Sequence, residues 1–234
     1  MKLYVYDHCP FCVRARMIFG LKNLPVEEQV LLSDDEATPV ALIGKKMAPI
    51  LIKEDGTAMP ESLDIVHYVD QNYGGLLLPD DDVRSDLQAW MQAVSRYYNH
   101  LLLPRFVKLG LPEFATQSAV DYFVKKKTES IGDFAENLAN SAQYIEKLQQ
   151  DFTALEYLIL SENGANDQLS MEDILLFPML RNLTCVKGLV FPPKVKAYVE
   201  TMAKLSQVEL YFDKAVYPTK SPVKWGRKLV FSAK

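Results

Sequence analysis

The chain has 234 residues, 49% hydrophobic and 24% charged, enough for a sizeable core in one large domain or two small ones. No apolar run approaches the ~18 residues needed to cross a bilayer, and MKLYVYDHCP at the start lacks the parts of a secretory signal, so a cytoplasmic protein without a membrane span is expected. The formal net charge of −4 is uneven: residues 214–234 hold six Lys or Arg and no acid, and the first 213 hold 20 basic against 30 acidic residues, so no nucleic-acid partner is expected.

KLYVYD (2–7) alternates Leu3 and Val5 with Tyr4 and Tyr6, which predicts a strand. A helix follows from Pro10, which suits a first helical position because it has no N–H to leave unpaired. Val13, Met17, Ile18 and Leu21 recur along one face, and Lys22, Asn23 and Pro25 end it. VEEQVLL (26–32) predicts a second strand, parallel to the first through a right-handed crossover. After a polar stretch, PILI (49–52) is a third strand, and EDGT (54–57) supplies Asp-Gly turn chemistry for a hairpin into Ala58–Met59, making the sheet mixed. SLDIVHYVDQNYGG (62–75) predicts a helix with Ser62 as N-cap, Asp64 in the first turn and Gly74-Gly75 beyond its end.

GGLLLPDDD (74–82) reads as a linker. Beyond it SDLQAWMQAVSRYYNHLLL (85–103) has Leu87, Trp90, Val94 and Leu101 at helical intervals, and further helical segments follow near 115–127, 133–160, 170–187 and 193–210. Strand-like alternation and internal repeats are missing there. The expected organisation is an α/β domain over 1–73, a linker over 74–84, an all-helical domain over 85–212 and a basic tail over 213–234. SMED (170–173) fits a capping box. In the tail, Tyr217, Trp225 and Phe231 interleave with the cations, a pattern suited to an anionic surface.

Three cysteines, Cys9, Cys12 and Cys185, are too few for the disulfide framework of a small secreted fold. A zinc site needs about four ligands, yet there is no second CxxC, and His8, His67 and His100 show no paired ligand spacing. No metal is expected. A strand end followed by Cys-Pro-x-Cys at the opening of a helix favours a reactive dithiol instead. Cys9 falls where free N–H groups and the positive end of the helix dipole stabilise a thiolate, whereas Cys12, one turn in, is more shielded. Cys9 is therefore the expected attacking sulfur and Cys12 the resolving one. Phe11 sets a flat apolar surface between them.

Two other stretches are expected to converge on Cys9. KKMAPIL (45–51) puts Pro49 at the start of a strand, where a cis bond turns the Met47 and Ala48 backbone towards the site. MPESLDIV (59–66) presents Glu61 and Ser62 at a helix N-terminus, which receives a carboxylate or, for Ser62, serves as a plain cap. Cys185 reads as a buried small hydrophobe. RYYNHLLLPRF (96–106) reads as interdomain core, with Arg105 a candidate to line the cleft.

With these stretches in view the sequence resembles the glutaredoxins, and over residues 1–212 it is similar to the large bacterial type whose outline is that of a glutathione S-transferase. MKLYVYDHCPFCVRARMIFGLKN, PILIKEDGTAMPESLDIVHYVD, LLLPRF and LLFPMLRNLT carry the likeness. The resemblance implies a thioredoxin-like α/β domain with a mixed four-stranded sheet, then an all-α, GST-like domain. It also implies glutathione as electron-donating cosubstrate for reducing glutathionylated and disulfide-containing proteins. By position it makes Cys9 the nucleophile and Cys12 the second thiol. Ala48 becomes a backbone partner of the cysteinyl part of glutathione, and Glu61 with Ser62 holds the γ-glutamyl end. Phe11, Met47 and Pro49 complete the implied site, and Lys45 and Lys46 either meet the glycyl carboxylate or are solvated. A monomer is expected. CPFC stands where many glutaredoxins have CPYC, and it also occurs in dehydroascorbate-reducing and omega-type transferase relatives. The alternatives are thus a transferase or dehydroascorbate reductase on the same scaffold, a non-catalytic GST-like interaction module, or an iron–sulfur carrier.

Overall fold

The computed structural model describes residues 1–78 and 82–217; the middle of the expected linker and most of the basic tail lie outside the described residues. The first part of the chain runs β1 (Lys2–Val5), α1 (Pro10–Leu21), β2 (Glu27–Val30), α2 (Ala37–Ile43), β3 (Ile50–Ile52), β4 (Ala58–Met59) and α3 (Ser62–Asn72). The sheet order is β2-β1-β3-β4. β1 and β2 are parallel, with Lys2 opposite Glu27 and Val5 opposite Val30, while β1–β3 and β3–β4 are antiparallel. This is the mixed four-stranded sheet that the alternation and the Asp-Gly hairpin predict. Leu3 and Val5 point into the core and are fully buried. β1 stops earlier than predicted because the Tyr6 N–H turns to the Cys12 Sγ at 3.3 Å, and Asp7 to partners outside the sheet.

The rest of the fold is helical: α4 (Ser85–Ser95), α5 (Tyr98–Phe106), α6 (Gln117–Ile131), α7 (Phe134–Ala139), α8 (Ser141–Leu158), α9 (Met171–Leu183) and α10 (Pro193–Ser206), with short 3-10 turns at Pro112–Phe114 and Phe212–Lys214. Two predicted helices are each divided. After α4 the Ser95 hydroxyl takes the Gln92 carbonyl at 2.8 Å and Tyr97 N–H closes on Val94 at 3.1 Å, a side-chain competitor and a tightened turn that break the regular ladder. Between α7 and α8 the Asn140 N–H returns to Glu136 at 2.9 Å while its φ and ψ of −87° and 7° redirect the chain. The capping box at α9 forms, with the Asp173 carboxylate accepting the Ser170 N–H at 2.8 Å.

One expectation needs correction. Ser62 is the first residue of α3, and Glu61 is its N-cap, with φ +69° and a carbonyl that accepts the Ile65 N–H at 3.0 Å. The chain makes its turn into the helix one residue earlier than the Ser preference suggests.

α1 is shared by both halves, packing on α3 and also on α9 and α10. Gly20 permits this: a Cβ there would stand 1.8 Å from the Ser206 carbonyl oxygen. A second tie crosses at the loop after β1. Buried Arg181 of α9 reaches the Asp7 carboxylate at 3.0 and 3.2 Å, Arg16 reaches it at 2.8 Å, and the Tyr211 hydroxyl donates to it at 2.7 Å. Burial opposes ionisation of Asp7, but the two guanidiniums and the hydroxyl outweigh it and hold the pKa at about 2. Among the described residues no helix is long and apolar enough to cross a membrane.

Candidate active site

Cys9 occupies the N-cap position of α1 with extended φ and ψ of −75° and 118°, and Pro10 is the first helical residue. The predicted placement at the helix mouth is therefore observed. Cys9 is half-buried, Cys12 fully buried, and neither is bridged. Hydrogen bonding from the Cys12 thiol is the largest influence on Cys9. Burial opposes it, and the charge of His8 and the Cys12 and Phe11 N–H groups add to it, so the Cys9 pKa falls to about 6. Burial, reinforced by donation to Cys9 and by its negative charge, pushes Cys12 the other way. Two thiols three residues apart are thereby set to opposite protonation states.

Above Cys9 lies a cleft of about 840 Å³ whose walls include Phe11, Met47 and Ala48 on one side and residues of α4, α5 and α6 on the other. Its charged lining among the described residues is Arg14, Lys46, Lys126 and Lys127, with His8 beside them and, among those residues, no Asp or Glu. The Ala48–Pro49 peptide is cis. Phe11 is half exposed, and the Arg14 guanidinium lies 4.7 Å from its ring centroid. The Tyr6 hydroxyl and Arg14 Nε, both on the cleft wall, are buried without a hydrogen-bond partner.

The predicted residues are not all in one place. Cys9, Phe11, Met47 and Ala48 line the cleft together, whereas Pro49, Glu61 and Ser62 are outside its lining. Ser62 is buried at the start of α3, and Glu61 pairs with Lys45 at 3.3 Å on the surface. Lys46 is held by the Ser33 carbonyl at 2.6 Å and lies 3.7 Å from the centre of the Tyr122 ring. Arg105 does not line the cleft; it is fully buried and spends its donors on Leu101, Ser141 and Val216. Cys185 is buried, which pushes its pKa up to about 12, an inert thiol as expected.

Sequence reasoning missed His8 and Glu113. The His8 ring packs among Phe106, Phe114 and Phe123 at centroid distances of 5.0–5.4 Å. Its Nδ1 is 2.7 Å from Glu113 Oε1, which also accepts the His8 N–H at 2.9 Å. Adjacency to Cys9 was a signal for His8; nothing in LPEF marked Glu113. Among the described residues no group of three or more His, Cys, Asp or Glu is placed to hold a metal ion.

Residues 86–215 match the family model for the glutaredoxin 2 C-terminal domain, and residues 3–76 match that for the glutathione S-transferase N-terminal domain. Glutaredoxin 2 of Escherichia coli K12 is 50% identical over 216 residues, covering 92% of this chain and all of that protein. Glutaredoxin 2 from Salmonella typhimurium, solved in complex with glutathione, superposes with a TM-score of 0.90 at 52% identity, covering 92% of this chain and 98% of that one. Omega-1 glutathione S-transferase of Sus scrofa is 23% identical over 214 residues, 87% of this chain and 77% of that protein. A thioredoxin-like half and a helical half meeting over Cys9, with half of the 216 aligned residues identical to those of the Escherichia coli protein, make this chain a member of the glutaredoxin 2 family.

Proposed function

We propose that the protein is a glutathione-dependent thiol–disulfide oxidoreductase whose nucleophile is Cys9. The observation that carries this reading is the split between the two thiols: an accessible Cys9 held near pKa 6 and a buried Cys12 held protonated beneath it. At neutral pH Cys9 is about nine-tenths thiolate. It attacks the glutathione-side sulfur of a protein mixed disulfide, forming Cys9–S–S–glutathione and releasing the protein thiolate. Free glutathione thiolate then attacks that bond, regenerating Cys9 and leaving oxidised glutathione.

For an ordinary disulfide Cys9 forms the mixed disulfide with one substrate sulfur, and Cys12 attacks Cys9 to release the other product. Two glutathiones reduce the resulting Cys9–Cys12 bond. Bond formation removes the Cys9 charge, one of the influences that keep Cys12 protonated, so Cys12 becomes easier to ionise when it is needed.

Several features support a glutathione site beside Cys9. Ala48 lines the cleft next to a cis proline. Met47 and Phe11 supply apolar wall, with Pro49 buried behind Ala48. Ser62 at the N-terminus of α3 offers unpaired N–H groups to the γ-glutamyl carboxylate, and Glu61 offers an anion to its ammonium group. The Lys45–Glu61 pair is solvent-exposed and contributes little that binding would forfeit. A cationic cleft without carboxylates suits the two-acid tripeptide and proteins carrying it.

The test compares Cys9→Ser with Cys12→Ser in glutathione-coupled reduction of a glutathionylated protein. Turnover lost in the first and retained in the second is the expected result. Normal turnover of Cys9→Ser with a dead Cys12→Ser would reverse the roles, and no effect of either would favour a binding module. The width of the cleft favours one second reading, transfer of glutathione to another molecule; conjugation surviving in a chain that has lost disulfide reduction would select it.

A further inference from the structure

The His8–Glu113 contact joins two residues 105 positions apart across the two halves of the molecule. Glu113 is fully buried, comes from the 3-10 turn before α6, and gives one oxygen to both the ring and the main chain of His8. A buried carboxylate is costly unless paired, and its other oxygen has no hydrogen-bond partner. The imidazole is thus the group that compensates it. Three phenylalanine rings pack around the His8 ring, an apolar surround that strengthens the attraction. Asn182 of α9 fixes the His8 carbonyl at 2.8 Å, immediately before Cys9.

We propose that Glu113 is a positioning residue for the Cys9 reaction: the helical half supplies a buried carboxylate that holds His8 as a cationic neighbour of the nucleophilic sulfur. The surrounding charges leave this role open. Asp7 on the same loop is neutralised by Arg181 and Arg16. Burial keeps the hydroxyls of Tyr6 and Tyr98 protonated. Arg14 stands over Phe11, and Lys46 is occupied by Ser33 and Tyr122. Lys126 and Lys127 complete the cationic lining of the cleft from α6. His8 adjoins Cys9 directly, and its charge is among the causes that lower the Cys9 pKa.

The inference rests on Cys9 as the nucleophile, and its test reads ionisation without turnover, so the two stand or fall separately. Alkylation of Cys9 by iodoacetamide is followed against pH, localised by mass spectrometry and normalised to each variant's alkaline plateau. In Glu113→Gln the midpoint should rise, cutting normalised reactivity near pH 6 by about three- to tenfold. In a His8→Gln background the same change should give no rise, because only the direct repulsion of a carboxylate is then removed. An unchanged midpoint in Glu113→Gln, or an equal rise without His8, overturns the proposal. Should Glu113→Gln not fold, Glu113→Asp, which draws the carboxylate back from the ring, decides: a raised midpoint supports the proposal and a wild-type midpoint overturns it.

Discussion

Replacing Cys12 separates its two roles, resolving thiol and hydrogen-bond donor. Alanine removes the donor that most strongly lowers the Cys9 pKa, whereas serine keeps an O–H in nearly the same place. A hydrogen bond to a charged acceptor contributes about 1.5–3 kcal/mol, and Cys12 is fully buried, so no water replaces it. At ~1.4 kcal/mol per unit, that raises the Cys9 pKa by about one to two units in Cys12→Ala. From a start of about 6, the thiolate fraction near pH 6.5 falls from about three-quarters to about a tenth for a mid-range shift. Ultraviolet thiolate absorbance against pH gives the midpoint directly, free of the rise in intrinsic reactivity that accompanies a higher pKa. Cys12→Ser should stay within about half a unit of the wild type. A wild-type midpoint in Cys12→Ala, or an equal displacement in both variants, would refute the hydrogen bond as the main cause.

Asp7 predicts a pH-dependent stability. Its folded pKa is below the usual carboxylate value, at about 2, so it contributes about 2 kcal/mol that is present above the unfolded value and lost as pH falls through the folded one. Urea midpoints of the wild type should drop between about pH 4 and 2 by more than those of Asp7→Asn; parallel profiles would remove the assignment. Gly20→Ala drives a methyl group into the Ser206 carbonyl, and thermal unfolding should show a loss of about 1–3 kcal/mol, whereas an unchanged melting temperature would mean that α1 and α10 separate freely.

Local chemistry was legible in the sequence. Pro10 marks the helix start, so the position of Cys9 at its mouth follows from four residues. Alternation in 2–7 and Asp-Gly at 55–56 suffice for β1 and the β3–β4 hairpin. What escaped depends on contacts made across the chain. Arg181 meets Asp7 over 174 positions, and no local pattern distinguishes it from Arg105, which was expected at the cleft and lies sealed beneath Val216 and Ser141. Gly20 looks like any helical glycine until Ser206 arrives. Helical periodicity also runs through Ser95–Tyr97 and Asn140 unbroken, because the hydroxyl bond, the tightened turn and the Asn140 dihedrals that divide those helices do not alter the spacing of apolar residues.

The loop between β1 and α1 is braced from both halves of the molecule. Arg181, Asn182 and Glu113 grip Asp7 and His8 from the helical side, while Arg16 holds Asp7 from α1. A disulfide entering the cleft thus meets a sulfur whose backing is shared between the two halves, and loosening either one slackens the hold on it.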